Sequence, residues 1–263
     1  MTQKALTYSS YLRIDELLAL QTPRSEGPEH DEHLFIVIHQ VYELWFRQLL
    51  VESARLQAML EARDAPAALH TLKRILTILK TIVAQVDILE TMTPLSFASF
   101  RGRLESASGF QSAQFREIEA VLGTREGSAA AAQPAGSEGR RRIEAAQGRR
   151  SVWGSFLLFL AARGHVLADD LLARDVTLPP EPDDRVQEVL LAVYRGDADA
   201  ALVAERLVDL DEGFQEWRYR HVKMVERTIG TKRGTGGSLG AEYLRTTVGR
   251  ALFPDLWAIR VRL

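Results

Sequence analysis

Residues 31–52, DEHLFIVIHQVYELWFRQLLVE, decide the fold. Leu34, Ile38, Val41, Trp45 and Leu49 recur at steps of three and four, which marks one buried face of a long helix. Asp31 and Glu32 suit the positive end of that helix, and Gly27–Pro28 breaks the chain just before it. His39 stands inside the apolar run, one turn after Phe35 and one turn before Glu43. A buried ring there needs a partner, because an unpaired donor costs about 1–3 kcal/mol. Taken alone, His39 reads as a core histidine bonded to another helix.

With 263 residues and 46% apolar content, the chain has ample material for a core, arranged as one domain or two small ones. The 33 basic and 35 acidic residues leave a net charge of −2, so no global field draws in nucleic acid or anionic lipid. Cysteine is absent, which excludes disulfides, thiolate-bound metal, iron–sulfur clusters and a cysteine nucleophile. The N-terminal residues hold no apolar run of signal-peptide length, and no stretch is expected to span a bilayer. A soluble, cytoplasmic protein is expected. Alternating strand patterns are lacking, so the fold class is all-α.

From the N-terminus, residues 10–20 predict a short amphipathic helix beside Tyr8 and Tyr11, with residues 1–22 as an N-terminal arm. The long helix ends at 64–66, and 67–92 forms a second, with Leu72, Ile75, Ile78, Leu79 and Ile82 buried. LSFASFRGRLESASGFQS (95–112) is a shaped loop with short helical turns around Arg101. Residues 111–122 resume as helix. Residues 123–140, rich in alanine, glycine and serine, read as a mobile surface connection within a single domain of residues 1–263. Helices follow over roughly 141–172, 185–194 and 197–229, and the chain closes with a glycine-rich loop, one more helix and a tail.

Four groups invite chemistry. His221, like His39, lies on an apolar helix face, with Phe214, Trp217, Met224 and Val225 as neighbours. Two such histidines on facing helices can enclose a planar metal cofactor, although each can equally be a satisfied core residue. His30, His33, His70 and His165 have polar surroundings. Glu-x-x-His, H-E-x-x-H and C-x-x-C-H are all absent, which leaves haem held by one histidine open. Arg101 lies between Phe97 and Phe100, where a guanidinium wants a carboxylate from a substrate or from an internal glutamate. KRGTGGSLG (232–240) is neither a Walker motif nor G-x-G-x-x-G; it reads as a hinge, a lid or a plain turn, with the Thr235 hydroxyl on offer.

These pieces together resemble the tryptophan 2,3-dioxygenase family. YSSYLRIDELLALQ, HDEHLFIVIHQVYELWFRQLL, ILETMTPLSFASFRGRLESASGFQSAQFREIE, FQEWRYRHVKMVERTIGTKRGTGGS and FPDLW stand in the family's order, from Tyr8 to Trp257. The resemblance implies an all-α haem-binding bundle that assembles as a homotetramer and cleaves L-tryptophan with O2 to N-formyl-L-kynurenine. It implies His221 as the axial ligand of a haem b iron, ferrous in the active state, and His39 as the catalytic-site residue that hydrogen-bonds the indole N–H. Phe35 would pack on the indole, Arg101 would pair with the substrate carboxylate, and Thr235 would help hold the amino-acid end. Tyr8, Tyr11 and Leu12 would reach a neighbouring subunit's pocket. Ser108 and Gly109 would form a turn on the distal side of the haem. Phe97 falls where the family has tyrosine or phenylalanine, and Val86 where some members have tryptophan. Two other readings stand beside this one: a relative that mono-oxygenates a substituted tryptophan or other aromatic amino acid, and a haem sensor or carrier without turnover.

Overall fold

The computed structural model describes residues 5–27, 29–235 and 240–263; Pro28 and four residues of the glycine-rich loop, 236–239, lie outside them. Every regular element among the described residues is helical: α1 (Tyr8–Leu12), α2 (Ile14–Leu18), α3 (His30–Glu61), α4 (Ala65–Leu89), α5 (Pro94–Arg101), α6 (Ala113–Leu122), α7 (Gly127–Ala131), α8 (Glu138–Gln147), α9 (Val152–Ala162), α10 (Asp169–Leu172), α11 (Asp184–Gly196), α12 (Ala198–Ile229), α13 (Ala241–Arg245) and α14 (Pro254–Ala258). Helix α4 lies between α3 and α12, and these three build the body of the molecule. Helices α6 and α9 pack on α3, and α13 packs on α12.

The buried seam of α3 is Ile38, Tyr42, Phe46, Leu49, Leu56 and Leu60, rotated from the expected stripe. Leu34 and Trp45 are half-buried at its edge, because the helix is apolar on more than one side and α4 meets the Tyr42 side. The Tyr42 hydroxyl donates to the Ile82 carbonyl at 3.1 Å, fixing α3 against α4. Gly213 lets α12 come as close to α4: a Cβ there would stand 2.8 Å from Leu79 Cδ2. Glu32 is buried and accepts the N–H groups of Arg24 (2.7 Å) and Ser25 (3.1 Å), so the acidic start of α3 pins the incoming chain.

Several expectations change. Residues 10–20 are two helices, broken at Arg13 in a left-handed conformation (φ 54°), and neither buries a residue. Residues 123–140, expected as a mobile connection, carry α7 and the first residues of α8: Ala129 and Ala130 of α7 and Gln133 in the turn after it are buried, and Gln133 Nε2 donates to the Gln111 carbonyl at 3.2 Å. By length and composition α3 can cross a membrane, contrary to the sequence expectation. Here it packs within the bundle instead, and polar groups on its inner side find protein partners, such as the Glu43 carboxylate, which accepts Gln114 Nε2 at 2.8 Å.

The FPDLW tail is tied down by two buried carboxylates. Asp211 of α12 accepts the N–H groups of Leu252 (2.8 Å) and Phe253 (3.0 Å) and the Trp257 indole N–H (2.9 Å) on one oxygen. Asp255 accepts from Asp183 N (2.8 Å) and Gln187 Nε2 (3.0 Å), and burial pushes its carboxyl above the ordinary range. The helix carrying His221 is thereby fixed from both sides, by α4 and by the C-terminal tail.

Candidate active site

A cavity of about 250 Å³ opens between α3, α4, α6, α12 and the 101–110 segment. His39 and His221 both line it, from α3 and α12. Phe35, Phe97, Arg101, Ser108, Gly109 and Thr235 line it too, so the structure brings together eight of the residues singled out in the sequence. Tyr8, Tyr11 and Leu12 do not; they are exposed on α1, away from this chain's cavity.

Helical geometry fixes the state of His39. Its Nδ1 lies 2.7 Å from the Phe35 carbonyl oxygen, one turn back. A carbonyl only accepts, so Nδ1 carries the proton and Nε2 keeps its lone pair. Burial lowers the pKa of the ring, which keeps it neutral. Phe35 packs against it, tilted by 38° at 4.0 Å between centroids, and meets Phe100 at 5.5 Å and Phe97 at 5.8 Å. The result is an aromatic slot ending in a neutral hydrogen-bond acceptor, suited to a flat ring that bears an N–H.

His221 sits across the cavity. Its ring lies nearly parallel to Trp217, at 5.0 Å and 15°, and has no hydrogen-bond partner among the described residues. Burial first, with the neighbouring Arg116 guanidinium adding to it, pushes its pKa down to about 4. A neutral imidazole with unspent nitrogens is ready to ligate a metal. The described residues hold no group of three or more histidines, aspartates or glutamates placed for a bare ion.

Arg101 does not meet an internal glutamate. Its Nη2 donates to the Arg233 carbonyl at 2.6 Å, and no carboxylate pairs with it among the described residues. The Thr235 hydroxyl donates to the Ala107 carbonyl. The glycine-rich loop is thus docked through the two side chains expected to take a substrate's carboxylate. Its ends also meet: a Cβ on Gly240 would stand 2.8 Å from the Lys232 carbonyl, and its φ of +60° suits glycine.

Sequence reasoning missed three charged groups. Arg116 and Glu119 of α6 are buried in the cavity wall and bond at 2.6 Å, and Glu119 also accepts from buried Arg218 at 3.0 Å. Arg116 bonds through Nη1 alone among the described residues and lies over the Phe110 ring at 4.6 Å. Glu43 lines the cavity one turn beyond His39. FREIE has the letters of a solvated helix face; its one signal is the apolar run Ala120–Leu122 that follows it.

The tryptophan 2,3-dioxygenase family profile matches residues 1–133 and 184–263. A tryptophan 2,3-dioxygenase of Herpetosiphon aurantiacus is 58% identical over 99% of this chain and 99% of its own length. One from Anaeromyxobacter sp. (strain K) is 60% identical, covering 97% and 96%. A more distant one, from Kineococcus radiotolerans, is 39% identical over 99% and 92%. With the match running through both histidine-bearing helices and nearly end to end, the chain belongs to the tryptophan 2,3-dioxygenase family.

Proposed function

We propose that this protein opens the indole ring of L-tryptophan between C2 and C3 with O2, giving N-formyl-L-kynurenine, the first step of tryptophan degradation by the kynurenine pathway. The observation that carries this reading is the pair of neutral histidines lining one largely apolar cavity, with His39 Nε2 and His221 without hydrogen-bond partners among the described residues.

Haem b fits that cavity by the chemistry of its donors. One imidazole suits a metal that brings its other ligands with it, and Val86, Leu89, Phe46, Phe115 and Met224 give the walls an apolar surface. Buried Arg116, with two nitrogens unengaged among the described residues, suits the acidic groups of the macrocycle. Buried Trp217 Nε1 in the same wall lacks an acceptor among the described residues. His221 would ligate the iron, and Ser108 and Gly109, which line the same cavity, would form part of the haem-binding wall. When bound, ferrous haem supplies the activation of O2.

The remaining work falls to the chain. Phe35 and Phe97 hold the indole flat. Nε2 of His39 accepts the indole N–H and so orients the ring; no strong base is required, since that proton is not acidic at neutral pH. Arg101 exchanges the Arg233 carbonyl for the substrate carboxylate, a stronger, charge-assisted bond, and Thr235 exchanges the Ala107 carbonyl for the amino-acid end. Holding both ends of a zwitterion while the ring is stacked places the C2–C3 bond reproducibly. The loop around Thr235 then excludes water.

We further propose a cytoplasmic homotetramer in which the arm of residues 1–22 is exchanged, so that Tyr8, Tyr11 and Leu12 complete a neighbour's site. Their exposure here supports that reading, as does an α1 with no buried residue. Product identity tests the activity. The reduced, haem-loaded protein, given L-tryptophan in ¹⁸O₂, should yield N-formylkynurenine carrying two labelled oxygens. A singly oxygenated tryptophan would overturn the dioxygenase reading.

A further inference from the structure

Glu43 lines the cavity beside His39 yet has no part in the function proposed above. Its carboxylate is fully engaged. Oε1 accepts the Ser112 hydroxyl at 2.6 Å and Oε2 accepts Gln114 Nε2 at 2.8 Å. The same amide also donates to the Glu43 carbonyl at 2.8 Å. Ser112 carries the link onward: its hydroxyl accepts Phe115 N at 3.2 Å, capping α6, and its own N–H donates to the Gly109 carbonyl at 3.1 Å. Gly109 and Ser108 form one turn, closed by Gln111 N on the Ser108 carbonyl at 2.9 Å. Ala107, which precedes that turn, is where Thr235 is anchored. Hydrogen bonds and a short stretch of backbone therefore connect the helix bearing His39, through the Ser108–Gly109 turn, to Thr235.

Apolar side chains would pack α3 on α6 without taking a carboxylate out of water. A charge-assisted acceptor with two fixed donors adds direction to that packing, because each bond loses strength steeply off axis. We propose that Glu43 is a positioning residue for the reaction, holding the Ser108–Gly109 turn at a set distance from the His39 ring. The proposal rests on reading this cavity as the active site.

The test exchanges the two partners. Glu43→Gln sets its amide against the Gln114 amide, and Gln114→Glu sets two carboxylates together. The double variant restores one donor–acceptor pair with its polarity reversed. Hydrogen exchange of residues 105–115 is followed in the haem-free protein, and kcat and KM in the loaded one. Each single variant should speed exchange in 105–115, leave 198–229 at the parent rate, keep its haem and lose up to about 100-fold in kcat. The double variant should recover most of both. Unchanged exchange in the single variants, or a folded double variant as impaired as they are, would overturn the proposal. Should Glu43→Gln not fold, Ser112→Ala cuts the same chain at its next link, and unchanged exchange there overturns it equally. If the parent turns over no tryptophan, the reading of the site fails, while exchange in the haem-free protein still decides whether Glu43 holds the turn.

Discussion

Asp211 offers a measurable test of how α12 is held. The residue is wholly buried, and one of its oxygens takes three donors: Leu252 N, Phe253 N and Trp257 Nε1. Its other oxygen accepts Gln215 Nε2 at 2.9 Å. Asp211→Ala leaves three tail donors without an acceptor, and each buried orphan costs about 1–3 kcal/mol. The tail can loosen and regain some water, so the expected loss is about 3–5 kcal/mol rather than the full sum. For a chain of this size that lowers Tm by roughly 10 °C. Asp211→Asn keeps an acceptor of the same shape, and the Gln215 amide can turn to face the new donor, so about 1 kcal/mol is expected. Urea unfolding followed by circular dichroism gives both values, and limited proteolysis of the last twenty or so residues locates the loosening. An alanine variant within about 1 kcal/mol of the parent would refute the reasoning, because surface-like cost means these bonds are replaced by water.

Other outcomes follow from the site. His221→Ala should purify without a Soret band, and full haem content in that variant would place the ligand elsewhere. Arg101→Ala should raise KM for tryptophan on the order of 100-fold, with Arg101→Lys intermediate, since lysine keeps the charge but loses the planar fork; an unchanged KM refutes the carboxylate role. His39 must be neutral to accept the indole N–H, and burial holds its pKa below the ordinary 6.5. The acceptor is therefore present above the folded pKa and lost as pH falls through it: kcat/KM should stay level down to pH 6.5 and decline only below, so a midpoint at or above 6.5 contradicts the assignment. Arg116→Ala should weaken haem retention, read as faster transfer of haem to apomyoglobin; transfer at the parent rate would remove Arg116 from the cofactor site.

The all-α class was legible because periodicity is a local property: α3, α4 and α12 each repeat apolar residues at three and four. Which side of α3 is innermost was not, since that depends on where α4 lies, and the seam through Tyr42 and Phe46 is set by it. His39 and His221 stood out because polar rings interrupt apolar faces. Glu119 and Glu43 did not, because they have partners remote in sequence: Glu119 meets Arg218 from 99 positions away, and Glu43 meets Ser112 from 69. Arg116, paired with Glu119 one turn on in the same helix, looks in sequence like any surface ion pair. The contact that Arg101 makes within this chain was not legible either. Its partner is a backbone carbonyl, and a main-chain acceptor leaves no mark in the residue letters. The alanine-rich 123–140 stretch suggested a connection by composition, yet alanine is also the best helix former, and contact with α6 and α13 decided the outcome.

The bond that fixes the His39 ring ends on the carbonyl of Phe35, not on its side chain. Any residue at position 35 that keeps α3 helical supplies the same acceptor at the same place. The shape of the slot and the protonation of its polar end are thus under separate genetic control. Substitution at position 35 can enlarge or reshape the slot for a substituted indole while the ring at 39 keeps its tautomer, so a lineage can explore new substrates one mutation at a time without first dismantling the chemistry.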